Sequence, residues 1–184
     1  SGTIPIEAAM IAANIAPGMN RTFTAQTWTN LIPTELWNDC FEEAKEMVNT
    51  DIETNIQGYD IDGEIIRAAR DNAKRAGVDH LIHFQQRPVS ELRHSKPFGF
   101  IVTNPPYGER IEEKENLPAL YREIGESYKR LDRWSMYLIT AYDKAENDIG
   151  RKADKNRKIY NGMMKTYYYQ FLGPRPPKKG SIKE

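Results

Sequence analysis

The sequence predicts an α/β fold built on a mostly parallel, doubly wound sheet, and three observations carry that expectation. Runs with helical apolar spacing alternate with short strand-like runs, the order that a parallel sheet with crossover helices requires. The run Phe98-Gly99-Phe100-Ile101-Val102-Thr103 reads as a buried strand and leads directly into Asn104-Pro105-Pro106-Tyr107. A second run, Ile56-Gln57-Gly58-Tyr59, leads into Asp60-Ile61-Asp62. Both polar segments therefore stand at the carboxyl ends of strands, where open α/β sheets place their ligands.

The elements follow in order. Ser1-Gly2-Thr3-Ile4-Pro5-Ile6-Glu7 opens a helix expected to run to about Ile15 before Pro17-Gly18 stops it. A small turn at a helix N-terminus lets a ligand approach free N–H groups, although Ser or Thr before Glu is also an ordinary helix start. Thr22 to Pro33 reads as a polar loop. Thr34 is the expected N-cap of a helix with Leu36, Trp37, Cys40, Phe41, Ala44 and Met47 on one side, which should pack on the sheet. After the strand ending at Tyr59, Asp62 should cap a helix running from Gly63 to about Ala76, with Gly77 as its stop. A strand is expected around Leu81 to Gln85, then the strand before Asn104, a helix from Glu115 to Leu131, and a buried strand from Ser135 to Thr140. Lys165 to Leu172 reads as an edge strand. Residues 1–173 are expected to form one domain, and the proline- and lysine-rich residues 174–184 a frayed tail.

Composition bounds the function classes. The counts of Lys+Arg and Asp+Glu are both 26, so net charge alone does not point to a polyanionic partner. Local charge is concentrated in Arg151-Lys152-Ala153-Asp154-Lys155-Asn156-Arg157-Lys158, which reads either as a solvated loop or, beside the site, as a loop whose cations contact phosphate, with Arg110 in a similar role. The single cysteine, Cys40, excludes an internal disulfide and reads as a core filler, which suits a reducing cytoplasm. His80, His83 and His94 lack ligand spacing, so no metal is expected. No apolar run is long enough to cross a bilayer, and no membrane association is expected.

The two polar segments have distinct chemistry. Two prolines remove two donors and hold the chain extended, so the Asn104 amide oxygen and the Pro105 carbonyl can serve as fixed acceptors for one planar NH2 group. Pro106 keeps that loop stiff, and Tyr107 offers a ring to stack on the base that carries the amine. Such a site suits methyl transfer to an amino nitrogen. Asp60 can accept hydrogen bonds from ribose hydroxyls, with Ile61 against an adenine face. The bland alternatives are a loop breaker for Asn-Pro-Pro and a pair of helix caps for the two aspartates.

Longer strings give a more specific comparison. Ser1-Gly2-Thr3-Ile4-Pro5-Ile6-Glu7-Ala8-Ala9, Pro17-Gly18-Met19-Asn20-Arg21, Gly58-Tyr59-Asp60-Ile61-Asp62, Asn104-Pro105-Pro106-Tyr107-Gly108-Glu109-Arg110, Lys158-Ile159-Tyr160-Asn161-Gly162-Met163 and Tyr169-Gln170-Phe171 cover nearly the whole chain. In these strings the chain resembles the catalytic domain of the methyltransferases that modify guanine N2 in bacterial large-subunit ribosomal RNA, often labelled N6-adenine-specific DNA methylases. The resemblance implies a Rossmann-like class I methyltransferase fold with a terminal antiparallel hairpin. It implies S-adenosylmethionine as cofactor, held by Ser1, Gly2, Thr3, Asp60 and Ile61 with Asn104 beside it, and catalysis by Asn104, Pro105, Pro106 and Tyr107. It also implies 23S ribosomal RNA as partner, met by Arg110, Arg151, Lys152, Lys155, Arg157 and Lys158.

Two departures stand out. The family's first strand and most of its cofactor loop precede the Ser-Gly-Thr and are not in the sequence, which would leave two unpaired sheet edges. Pro88 stands where the family places a polar side chain near the adenine amino group, so Gln86 or a backbone carbonyl would have to substitute. Adenine N6 in DNA, a protein glutamine, and a non-enzymatic nucleic-acid-binding remnant remain alternatives. The family's RNA-binding THUMP domain is not in the chain.

Overall fold

The structure is a computed structural model. It describes residues 1–108 and 111–177, without the side chains of residues 111–114 and 161; Arg110 and residues 178–184 of the expected tail lie outside the described residues. The chain forms two compact units, Ser1–Gln86 and Arg87–Glu184.

In the first unit, α1 (Thr3–Ala12), α2 (Thr34–Glu46), β1 (Ile56–Asp60), α3 (Gly63–Arg75) and β2 (Ile82–Gln86) follow in order. Strands β1 and β2 pair in parallel, from Ile56 opposite Ile82 to Asp60 opposite Gln86, with α3 as the crossover. Helix α3 forms where its signals agree. The Asp62 side chain accepts from the Glu64 N–H at 2.8 Å, Ile66, Ala69 and Ala73 are buried on one face, and Gly77 at φ 72° takes the left-handed conformation that ends it. Gly58 lies opposite Phe84, whose ring covers it; a Cβ there would stand 2.6 Å from that ring and 3.4 Å from Pro5 of α1. Glycine at this position lets α1 come down on β1.

Three expectations for this unit are corrected. Helix α1 ends at Ala12, because Asn14 turns left-handed at φ 55° and its amide donates to the Met47 carbonyl at 3.1 Å. Thr34 is the first helical residue and Pro33 the cap position, with no side-chain capping bond. Helix α2 buries no residue. Its aromatic side faces its own excursion: Trp37 stacks on Phe23 at 6.1 Å and tilts against Phe41, with the Arg21 guanidinium over Phe23. Cys40 is exposed and fills no core.

In the second unit, β3 (Phe100–Thr103), α4 (Ile111–Lys129), β4 (Ser135–Thr140), α5 (Ala145–Ile149), β5 (Lys155–Asn161) and β6 (Met164–Phe171) form a four-stranded sheet in the order β3-β4-β6-β5. Strands β3 and β4 are parallel, while β6 pairs antiparallel with β4 on one side and β5 on the other. Strand β6, expected at the edge, is therefore interior, and the edge is β5, which takes in Lys155 to Lys158 of the run expected to be a loop. Helices α4 and α5 cover one face through Tyr121, Ile124, Ile149, Met136, Leu138 and Phe171.

Strand β3 is not buried. Phe100 and Val102 are 68% and 52% exposed, and the strand pairs only with β4 among the described residues. Strand β1 likewise pairs only with β2. Strands β1 and β3 are thus each an edge of their own sheet among the described residues. No helix of the described residues is long and apolar enough to cross a membrane.

Close packing between α4 and α5 gives a stability test. A Cβ on Gly125 would lie 2.3 Å from the Ile149 carbonyl oxygen, a backbone atom that cannot rotate away. Alanine favours a helix interior over glycine by about 1 kcal/mol, whereas overpacking costs about 1–3 kcal/mol and sometimes more. Gly125→Ala is expected to lower the denaturant midpoint; a raised midpoint would mean that α5 yields freely.

Candidate active site

Asn104-Pro105-Pro106-Tyr107 leaves the carboxyl end of β3, with Asn104 exposed, Pro105 buried, Pro106 exposed and Tyr107 half-buried. Its shape is held from two directions. The Tyr107 hydroxyl donates to Asn104 Oδ1 at 2.6 Å, which orients the amide oxygen. A carbonyl oxygen has two lone pairs, so a second donor, such as an amine, can be accommodated. From beneath, the Tyr121 hydroxyl on α4 donates to the Pro106 carbonyl at 3.3 Å. That assigns the Pro106 carbonyl to the scaffold and separates it from the Pro105 carbonyl.

Tyr121 is fully buried. Its hydroxyl also meets Thr140 Oγ1 at the end of β4, and the Tyr142 N–H donates to the same Thr140 oxygen at 3.0 Å. Burial pushes the Tyr121 pKa from 10.0 up to about 12, against the lowering effect of the Thr140 hydrogen bond. Tyr142 is pushed to about 12 as well, by burial first and then by its bond to the Asp148 carboxylate. Nothing in the sequence motifs singles out Tyr121 or Thr140. The available signal is the pair of tyrosines, Tyr121 and Tyr128, on the apolar face of α4, because a buried hydroxyl needs a partner.

A raised tyrosine pKa favours the neutral form in the folded state, so the stability it supplies is complete below about pH 10 and is lost as pH rises toward about 12. Urea unfolding through that window should show a falling midpoint, and Tyr121→Phe should flatten the fall.

In the first unit, Asp60, Ile61 and Gln86 come together at the carboxyl ends of β1 and β2. Gln86 Nε2 donates to the Ile61 carbonyl at 2.9 Å, and Gln86 Oε1 lies 2.8 Å from where a Cβ on Gly63 would stand. Asp60 Oδ1 accepts from the Asp62 N–H at 3.0 Å, while the Ile61 side chain is 70% exposed. A carboxylate, an exposed apolar face and a polar amide on one small surface match the ribose and adenine of a nucleoside in chemical type. A shallow pocket of about 610 Å³, lined by Asp62, Gly63, Glu64, Arg67, Arg70 and Gln86, adjoins them. Pro88 begins a short 3-10 turn at Val89–Glu91 and offers no side-chain donor or acceptor.

Ser1, Gly2 and Thr3 lie at the start of α1. Gly2, at φ 75°, would place a Cβ 2.8 Å from Ala69 Cβ, and the Ser1 carbonyl accepts from Asn72 Nδ2 at 2.9 Å. Small size there serves the approach of α1 to α3.

The basic run does not form one loop patch. Lys155, Arg157 and Lys158 are on strand β5, whose alternation puts Lys155 and Arg157 on one face and Lys158 on the other. Lys158 sits over the Tyr160 ring at 5.1 Å and is held above its ordinary pKa by its hydrogen bond to Tyr160. Arg151 is engaged within its unit: it donates to the Tyr128 hydroxyl at 2.8 Å, to Asp154 Oδ2 at 2.9 Å and to the Leu172 carbonyl at 3.1 Å. Lys152 is exposed in the turn before β5.

Comparison with known proteins places this geometry. A model of the family UPF0020, described as RMKL-like, methyltransferase domain, matches residues 1–170. The "Putative RNA methyltransferase YpsC" of Bacillus subtilis (strain 168) is 44% identical over 180 residues, which are 97% of this chain and 46% of that protein. The "Ribosomal RNA large subunit methyltransferase K/L" of Legionella pneumophila (strain Corby) is 36% identical over 170 residues, 92% of this chain and 24% of that protein. Among solved structures, "SMU.472, a putative methyltransferase complexed with SAH" superposes with a TM-score of 0.88 at 40% identity, covering 96% of this chain and 46% of that one. The chain spans about half or less of the length of these relatives. The fold is Rossmann-like, of class I, and the chain belongs to the family of RMKL-like methyltransferase domains.

Proposed function

We propose that this chain is the catalytic domain of an S-adenosylmethionine-dependent N-methyltransferase acting on an exocyclic amino group of a nucleic-acid base, guanine N2 of 23S ribosomal RNA. The observation that carries the reading is the Asn104 amide oxygen, exposed at the carboxyl end of β3 and oriented by the Tyr107 hydroxyl. An RNA substrate is supported by the names of both curated relatives, and ribosomal RNA by that of the Legionella pneumophila protein.

The cofactor supplies an electrophilic methyl on a cationic sulfur. Asp60 would hold the ribose hydroxyls, Ile61 would lie on the adenine, and Gln86 would take the amide role left open by Pro88. Ser1, Gly2 and Thr3 are proposed at the amino-acid end. At the acceptor, an aromatic amine is a weak nucleophile because its lone pair is delocalised into the ring. Hydrogen bonds from its two N–H groups to Asn104 Oδ1 and the Pro105 carbonyl favour a pyramidal nitrogen and stabilise the positive charge that develops there. That is stronger binding in the transition state than in the ground state. Alignment can contribute about 7–11 kcal/mol in ideal intramolecular cases. The base must leave its stack to reach the site, and stacking on Tyr107 would contribute about 1–3 kcal/mol. Lys152, Lys155, Arg157 and Lys158, with Arg110 outside the described residues, are proposed phosphate contacts, whereas the engagement of Arg151 favours a scaffold role.

The test is tritium transfer from labelled S-adenosylmethionine to ribosomal RNA, DNA and a protein release factor offered side by side. Label in the RNA is expected; label only in DNA or protein would replace the reading with one of its alternatives.

A further inference from the structure

A directional chain of hydrogen bonds runs under the Asn104–Tyr107 loop. The Pro106 carbonyl can only accept, so the Tyr121 hydroxyl donates to it at 3.3 Å. With its proton committed, the Tyr121 oxygen accepts from the Thr140 hydroxyl, and the Thr140 oxygen accepts from the Tyr142 N–H at 3.0 Å. Each group donates once, and every proton has a place. Tyr121 and Thr140 are both fully buried. The Tyr121 ring is fixed against the Tyr142 ring with centroids 4.8 Å apart, and the Tyr142 hydroxyl is tied to Asp148 at 2.6 Å.

We infer that Tyr121 and Thr140 are positioning residues for the acceptor site, holding the Pro106 carbonyl so that the Asn104 oxygen and the Pro105 carbonyl converge on one amine. Proline lacks an N–H, so neither Pro105 nor Pro106 can be anchored to neighbouring structure through its own donor. At these two residues a carbonyl is the backbone group that can be anchored, and a buried network with every member satisfied is rigid. Burial keeps Tyr121 protonated to about pH 12, so the anchor persists across the range in which the enzyme would work. The catalytic part of this inference rests on the proposed methyl transfer, while its structural part stands without it.

The test uses Tyr121→Phe, which removes one oxygen and keeps the ring, together with Thr140→Val and Thr140→Ser, all in the whole protein. Hydrogen exchange of the Asn104, Tyr107 and Gly108 amides is expected to quicken about tenfold or more in Tyr121→Phe and Thr140→Val, and to stay near wild type in Thr140→Ser. In parallel, kcat should fall about tenfold with the KM for the cofactor unchanged, and the double variant should lose no more than either single one. Loop exchange equal to wild type in a folded Tyr121→Phe protein overturns the inference, as does unchanged kcat. If wild type transfers methyl to no nucleic acid yet loop exchange quickens, the proposed function fails while the anchor stands.

Discussion

Asn104→Ala is expected to slow methyl transfer by about 100-fold to 1,000-fold, the range seen when one donor or acceptor is removed from a preorganised transition-state site. The side chain is exposed and its amide oxygen is held by the Tyr107 hydroxyl at 2.6 Å, so truncation removes an acceptor without opening a core cavity. Cofactor affinity should be nearly unchanged, because Asn104 is assigned to the amine. Calorimetric titration with S-adenosylmethionine beside single-turnover transfer separates the two effects. An equal loss in both would show that Asn104 serves the cofactor instead. The same substitution also frees the Tyr107 hydroxyl, so Tyr107→Phe is the control for that lost bond.

Asp60→Ala should behave in the opposite way. Its carboxylate lies at the end of β1, beside the exposed Ile61 side chain and the Gln86 amide. Hydrogen bonds to a charged group contribute about 1.5–3 kcal/mol, which corresponds to roughly 10-fold to 150-fold weaker cofactor binding. Part of any loss can come from the Asp62 N–H, which donates to Asp60 Oδ1 at 3.0 Å and helps set the turn into α3. Asp60→Asn keeps an acceptor for that N–H and should restore the turn without restoring full affinity. Unchanged cofactor binding in Asp60→Ala would remove the ribose role and leave the residue as part of a cap.

These assignments show which parts of the molecule were legible in the sequence. Helix α3 was readable almost residue by residue because its cap at Asp62, its apolar period and its stop at Gly77 are all local. Helix α2 was readable as a helix but not in its packing. Amphipathicity says that a face seeks cover, and here Phe23 from the preceding loop supplies it. The edge position expected for β6 was wrong for a similar reason, since chain order does not reveal that β6 enters between β4 and β5. Strand β3 looked buried because it is apolar throughout, but its exposure depends on partners that its own sequence does not name.

The placement of the Asn-Pro-Pro-Tyr loop and of the Asp60-Ile61 pair at strand ends was legible because each directly follows its own strand-like run. Tyr121 and Thr140 were not, because their contacts with the loop join positions 15 apart and then 19 apart in the chain. The basic run was visible as charge, but only strand formation divides Lys155 and Arg157 from Lys158.

Identifying the modified nucleoside decides whether the protein methylates an exocyclic amine of a base. Ribosomal RNA lacking the modification would be incubated with the protein and S-adenosylmethionine, digested to nucleosides and separated by mass spectrometry against authentic standards. N2-methylguanosine is expected with wild-type protein and not with Asn104→Ala. A methyl group on a ribose hydroxyl or a ring carbon, or the same yield from Asn104→Ala, would contradict that expectation.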